Sequence, residues 1–238
     1  MKVRHDNSAV RYAIAFDELR MYPMDVLSVA GYHQDRVPPF LHDLMQEIFA
    51  DAASQCAIQG GYRIVDRFSV SNNEQTVRID HRVFSPYKII TAQLKNARQV
   101  AVFACTAGNA LEDWSKALIR GEEPAKGYLV DMLASLVVEA AMDMIHDDLA
   151  AESGKQTLHV SNRFSPGYCQ WPLTDAHQLM SLLPPGFCDI SLNDAAFMIP
   201  AKSICGIIGI GPEVKRSEHQ CGFCDQNACV YGDKFIAK

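Results

Sequence analysis

The chain is short of positive charge and has no long apolar run. It carries 22 Lys and Arg against 28 Asp and Glu, a formal net charge of −6 at pH 7. A nucleic-acid partner calls for a basic face, so this balance argues against one. The longest apolar runs, around Ile204–Ile210 and Leu136–Met144, are too short or too interrupted to span a bilayer. The opening residues Met1-Lys2-Val3-Arg4-His5-Asp6-Asn7 lead into no apolar signal segment, so a cytoplasmic location is expected. The sequence also lacks H-E-x-x-H, a P-loop and G-x-S-x-G, which leaves no ready-made hydrolytic constellation. Gly206-Ile207-Ile208-Gly209-Ile210-Gly211 is spaced G-x-x-G-x-G and is followed by Pro212. That is not the dinucleotide fingerprint, and a core strand ending in a turn is expected there. No internal repeat or low-complexity linker interrupts the chain.

With 238 residues, 48% of them hydrophobic, the chain can bury a real core. Residues 16–35 read as a short helix and a tight connection, with a helix starting near Asp25 and ending at Gly31. Phe40–Gln59 has a helical apolar period (Leu41, Leu44, Met45, Ile48, Phe49, Ala52), and Gly60-Gly61 is expected to close it. Tyr62–Val70, Thr76–Ile79 and Val100–Thr106 read as strands. Ala107–Ile119 reads as a helix, with Gly108 allowing close backbone packing at its start. Ala125–Ala151 carries the clearest helical stripe, from Tyr128 and Leu129 to Met144 and Ile145. A strand over Leu158–Val160, a helix from Thr174 over Asp175–Leu183 and a buried strand over Ser203–Ile210 complete the pattern. Strands mix with helices without a βαβ rhythm, which indicates an α+β fold.

Arg163-Phe164-Ser165-Pro166-Gly167-Tyr168 puts an arginine, a Pro-Gly turn and an aromatic within six residues. Proline fixes φ, glycine lets backbone approach a ligand, arginine offers planar donors to a carboxylate, and tyrosine adds a flat face or a hydroxyl. An ordinary surface turn has the same composition, and the residues alone do not separate the two. Glu139 sits at the edge of the apolar stripe, with Asp143 four residues on. A carboxylate there must reach solvent, pair with an arginine, or face a ligand's ammonium or sulfonium. The chain has eight cysteines, and Cys221, Cys224 and Cys229 form C-x2-C-x4-C near the C-terminus. Three thiolates can begin a zinc or iron–sulfur site, with His219, Cys205 or Cys188 as the fourth ligand; free thiols or a Cys221/Cys224 redox pair are the alternatives.

Taken in order, several segments resemble the activation (reactivation) domain of cobalamin-dependent methionine synthase, here in a standalone form. Met24–Tyr32 is similar to the family's opening segment. Phe103–Gly108 resembles its Thr-x-Gly stretch, Asp131–Glu139 its long helix, and Pro200-x-Lys202-Ser203 through Ile210 its closing strand. Arg163–Tyr168 matches its R-x-x-P-G-Y signature, the most specific of these elements. The resemblance implies a C-shaped α+β domain built on a twisted antiparallel sheet flanked by helices, with S-adenosylmethionine in a groove. Arg163 would hold the methionine carboxylate, Ser165, Pro166 and Gly167 would bring backbone to the ligand, Tyr168 would line the site, and Glu139 would face the ligand.

The implied role is reductive methylation of cob(II)alamin carried by a partner. An electron from a reduced donor such as flavodoxin or ferredoxin, and a methyl group from S-adenosylmethionine, restore methylcobalamin. Cobalt is the nucleophile, so the domain is an accessory component that supplies positioning and charge complementarity rather than an acid, base or nucleophile. The homocysteine, folate and cobalamin modules are missing from this sequence. The partner is therefore expected to be a separate corrinoid methyltransferase protein, a split methionine synthase first of all. The alternative is a non-catalytic binding or redox-sensing module of the same fold. Residues 1–215 are expected to form the activation-like domain, helical over about 1–60. Residues 216–238 form a cysteine-rich tail that the long multidomain enzymes lack and that looks like a feature of some short relatives. Cys169 and Trp171 also follow the signature where the long enzymes differ.

Overall fold

The computed structural model describes residues 2–6, 9–33 and 36–216. Its centre is a six-stranded antiparallel sheet. The strands are β1 (Lys2–Asp6), β2 (Ala9–Ile14), β3 (Ile58–Val65), β7 (Gln99–Thr106), β8 (His159–Phe164) and β11 (Ser203–Gly211), in the order β1-β2-β3-β7-β11-β8. With helices on one face and a mixed layer on the other, the fold is α+β, as the sequence indicates. The G-x-x-G-x-G run lies in β11, a core strand that ends in a turn at Pro212.

β7 and β11 are buried on both faces, which is why they read as nearly continuous apolar runs. In β7, Ala101, Phe103 and Cys105 face one cluster, while Val100, Val102 and Ala104 face the other. This is the two-residue alternation of a strand. The first cluster receives four helices: α1 (Pro23–Val29), α2 (Pro39–Gln55), α4 (Ala110–Arg120) and α5 (Pro124–Gly154). On the second face lie α3 (Tyr87–Leu94), α6 (Asp175–Met180), a three-stranded sheet of β4 (Phe68–Ser71), β5 (Thr76–Ile79) and β6 (Arg82–Phe84), and the short pair β9 (Ser191–Leu192) and β10 (Met198–Ile199).

The 31-residue α5 is the main support of the first face. Leu133, Val137, Ala141, Ile145 and Leu149 are buried along it at a spacing of four. Each of the larger side chains contributes about 1.5–3 kcal/mol by leaving water. Pro23, Pro39 and Pro124 occupy the first turns of α1, α2 and α5, where the missing N–H has no partner to lose. α1 begins at Pro23, two residues before Asp25, as expected of a start near Asp25, whose Oδ2 accepts from the Tyr22 N–H at 2.7 Å. Gly31, with φ +93°, follows the helix as a left-handed terminator.

Two expectations need correction. Gly60 and Gly61 do not stop α2, which ends at Gln55; both lie inside β3. A Cβ on Gly60 would come within 2.9 Å of Cys105 Sγ and closer still to Ile145 Cδ1. Its role is to let α5 pack onto the sheet. The first sixty residues are not purely helical either, because β1 and β2 extend the central sheet from β3. At Thr174 the backbone is already helical and no side-chain cap forms. Among the described residues no helix is long and apolar enough to cross a membrane.

Candidate functional site

Arg163 projects from β8, an edge strand held by β11 through the Arg163–Ile208 pairing. Its guanidinium meets α5. Nη2 lies 2.9 Å from Asp143 Oδ1 and donates to Glu139 Oε2 at 3.2 Å. The spacing of four places both carboxylates on one face of the helix. The arginine side chain is 16% exposed, whereas Glu139 is 47% and Asp143 57% exposed. The cation is thus sunk below two half-open anions. Its Nη1 is buried with no hydrogen-bond partner among the described residues. Burial pushes both carboxyls above the ordinary carboxylate range, and the Arg163 charge pulls each back. The bland reading of Glu139, a boundary residue paired with an arginine, and the ligand reading therefore meet in one cluster.

His146 fastens β8 to α5. It is 1% exposed, and its Nε2 lies 2.9 Å from the Ser161 carbonyl oxygen, two residues before Arg163. Burial, reinforced by the charges of Arg216 and Arg163, holds the ring down at about 4, so at neutral pH it is uncharged. Ser161 Oγ donates to the Asn162 carbonyl at 2.7 Å and accepts from the Gly209 N–H at 2.8 Å. That hydroxyl bridges β8 and β11 where their register shifts.

Beyond Asp143, the same face of α5 walls a cleft of about 470 Å³ with Ala140, Met144, Asp147, Asp148, Arg20 and Arg216. Arg216 Nη1 donates to Asp147 Oδ1 at 2.7 Å. The buried Tyr12 hydroxyl donates to Asp148 Oδ2 at 2.6 Å. Tyr12, His146 and Arg216 were not legible as site residues. A histidine inside an apolar helical stripe, three residues after Asp143, is the one local signal that could have marked His146.

The Ser165–Tyr168 stretch is an ordered turn. Gly167 has φ +93°, and its N–H donates to the Trp171 carbonyl at 2.8 Å. The Tyr168 N–H donates to Ser165 at 3.2 Å, and the Trp171 N–H to Tyr168 at 2.9 Å. Trp171 is buried, packs edge-on against Phe84 at 6.0 Å, and donates from Nε1 to Asp175 Oδ2 at 2.8 Å. Pro166 is buried, while Tyr168 is 65% exposed. The structure thus joins Arg163 to Glu139 directly and carries Ser165, Pro166, Gly167 and Tyr168 on the turn that leaves the same strand.

Cys221, Cys224 and Cys229, with His219, lie outside the described residues. Cys188 and Cys205, the other candidate fourth ligands, are buried, and burial pushes both thiols up to about 12. That disfavours the thiolate a metal needs. Among the described residues no group of three His, Cys, Asp or Glu side chains is placed to hold a metal ion.

The chain is thus an α+β domain with an arginine–carboxylate cluster between its longest helix and an edge strand. Residues 72–230 match the family model for the vitamin B12 dependent methionine synthase activation domain. The chain belongs to that family. The matched span runs past residue 215 and takes in all three tail cysteines. The fold is similar to a crystal structure of the MetH reactivation domain bound to AdoHcy, with a TM-score of 0.64 at 15% identity over 90% of this chain and 81% of that one. No curated protein matches the chain.

Proposed function

We propose that this chain binds S-adenosylmethionine and supports reductive methylation of cobalamin on a separate corrinoid protein, a split methionine synthase first of all. The observation that carries the reading is the state of Arg163. One terminal nitrogen is shared by two carboxylates, and the other is buried with no acceptor among the described residues. A ligand α-carboxylate would take up the unmatched donor capacity. Glu139, released in part, would then accept from the ligand's α-ammonium. Backbone at Ser165, Pro166 and Gly167, with the exposed Tyr168 ring, would line the outer side. The AdoHcy-bound neighbour of the same fold supports this class of ligand.

The chain's residues bind and orient the methyl donor, and the partner's corrinoid supplies the cobalt that accepts the methyl group. An electron carrier such as flavodoxin or ferredoxin would reduce the cobalt beforehand. The family membership supports a cobalamin-carrying partner. Cys221, Cys224 and Cys229 form part of the same proposal as a zinc or iron–sulfur centre in a tail starting near residue 216, on the strength of their spacing. An iron-reconstituted sample with neither charge-transfer absorption nor bound iron or zinc would remove that element.

Titration calorimetry with S-adenosylmethionine tests the main reading. Wild type is expected to bind, and Arg163→Ala to weaken binding by at least about tenfold through loss of a charge-assisted pair. No binding by wild type, or an unchanged affinity in Arg163→Ala, would sink it and leave the scaffold or sensor alternative.

A further inference from the structure

We propose that Asp143 is a specificity determinant that selects the cationic methyl donor over its neutral thioether by-product. This rests on the binding role proposed above and adds a residue and a discrimination to it. Asp143 holds a position that Glu139 does not share. It contacts the half-buried Arg163 guanidinium at 2.9 Å and also lines the cleft that continues along α5. The cleft, at about 470 Å³, is within the range of small-molecule sites. If Arg163 grips the amino-acid end and the cleft takes the nucleoside, the group that joins those two halves of the ligand lies against Asp143. In S-adenosylmethionine that group is the sulfonium.

The charges around it are unbalanced. Asp147 has a cation of its own in Arg216 at 2.7 Å. Asp148 accepts from the Tyr12 hydroxyl and shares the cleft with Arg20. Among the described residues Glu139 and Asp143 share Arg163 as their one direct ion-pair partner, and Arg216 adds a longer-range attraction at Asp143. The cluster and its cleft thus hold four carboxylates against three guanidiniums, one net negative charge. S-adenosylmethionine carries a carboxylate, an ammonium and a sulfonium, one net positive charge. Methyl transfer breaks the S–CH3 bond and leaves the electron pair on sulfur, so S-adenosylhomocysteine is neutral overall. A carboxylate opposite the sulfur therefore holds the donor and lets the by-product go. Because Asp143 is 57% exposed, solvent screens this attraction, and a preference of about tenfold is expected rather than a larger one.

Calorimetry with S-adenosylmethionine, S-adenosylhomocysteine and an analogue bearing a protonated amine in place of the sulfonium decides it. Wild type is expected to bind both cations about tenfold more tightly than the thioether. Asp143→Asn should weaken both cations about five- to tenfold and move the thioether less than about twofold. Asp143→Glu keeps the charge and should keep the preference, which guards against reading a misfolded variant as a result. An equal loss for all three ligands in Asp143→Asn, or no change for any, overturns the proposal while the binding role stands. Failure of wild type to bind any of them overturns both.

Discussion

His146 is the sharpest handle on how the Arg163 strand is held. Its ring is buried against the Ser161 carbonyl, and burial with two nearby guanidiniums brings it from an ordinary value near 6.5 to about 4. A depressed histidine means that the unfolded chain binds the proton more readily than the folded one. Stability from this group is therefore fully present above pH 6.5, falls as the pH drops and levels off below about 4. The full difference is worth about 3 kcal/mol, of which about 2 kcal/mol is lost by pH 5. The ring is almost inaccessible, so solvent screening does not reduce this figure. Glu139 and Asp143 act in the opposite sense. Their raised carboxyls bind protons more readily in the fold, and the contribution they make at low pH is lost as the pH rises through their folded values.

Subtracting a variant isolates the histidine. His146→Gln keeps a donor for the Ser161 carbonyl and does not titrate. Urea unfolding of both proteins from pH 7.5 to pH 5 should show wild type losing about 2 kcal/mol relative to His146→Gln. A difference that stays constant within about 0.5 kcal/mol over that range would refute the account, because it would mean the ring is solvated or already charged in the fold.

Other consequences follow from single contacts. Gly60→Ala should cost about 1–3 kcal/mol in chemical denaturation, and adding Ile145→Val should recover part of that by removing the Cδ1 methyl the new Cβ meets. Tyr12→Phe removes the donor to the Asp148 carboxylate and should cost about 1.5 kcal/mol in the same assay. Trp171→Phe deletes the Nε1 bond to Asp175 and part of the contact with Phe84. It should loosen the turn that carries Gly167 and Tyr168, seen as faster amide exchange at Gly167, whose N–H is bonded to the Trp171 carbonyl.

What could be read from the sequence follows where the core lies. α5 buries one face of 31 residues, so its 3.6 period survives every local irregularity. β7 and β11 are buried on both faces and read as apolar runs. β1 could not be recognised, because Lys2-Val3-Arg4-His5-Asp6 is polar and lies at the sheet edge. α3 has eight residues, too few for a period to stand out, and β6 has three. Gly60-Gly61 has the composition of a helix stop. What constrains Gly60 is Ile145, 85 residues away, and what constrains Gly61 is the Val10 backbone of the neighbouring strand and the Phe187 ring, which no local rule can supply. The same limit applies to the site. Glu139 and Arg163 are 24 residues apart and joined by one reversal between α5 and β8, so the family pattern could pair them. Arg216 with Asp147 and Tyr12 with Asp148 span 69 and 136 residues, and only the fold brings them together.

The geometry also bears on how tightly the proposed site would hold its ligand. A guanidinium as enclosed as that of Arg163 is tolerated because two carboxylates neutralise it; without them its desolvation would be prohibitive. An incoming α-carboxylate must then either use the unmatched Nη1 or displace one of the resident anions, and a displaced anion needs a new partner. A ligand that brings its own cations supplies that partner. One that brings only a carboxylate leaves Glu139 or Asp143 exposed to a like charge. In the proposed binding role the cluster would therefore favour zwitterionic and cationic amino-acid ligands over simple carboxylates even though an arginine lies at its centre. Because each new contact replaces an existing one, the net gain on binding is smaller than a count of the final contacts would suggest. The proposed reactivation role, which would require release of the by-product and entry of a fresh donor, is compatible with such exchange.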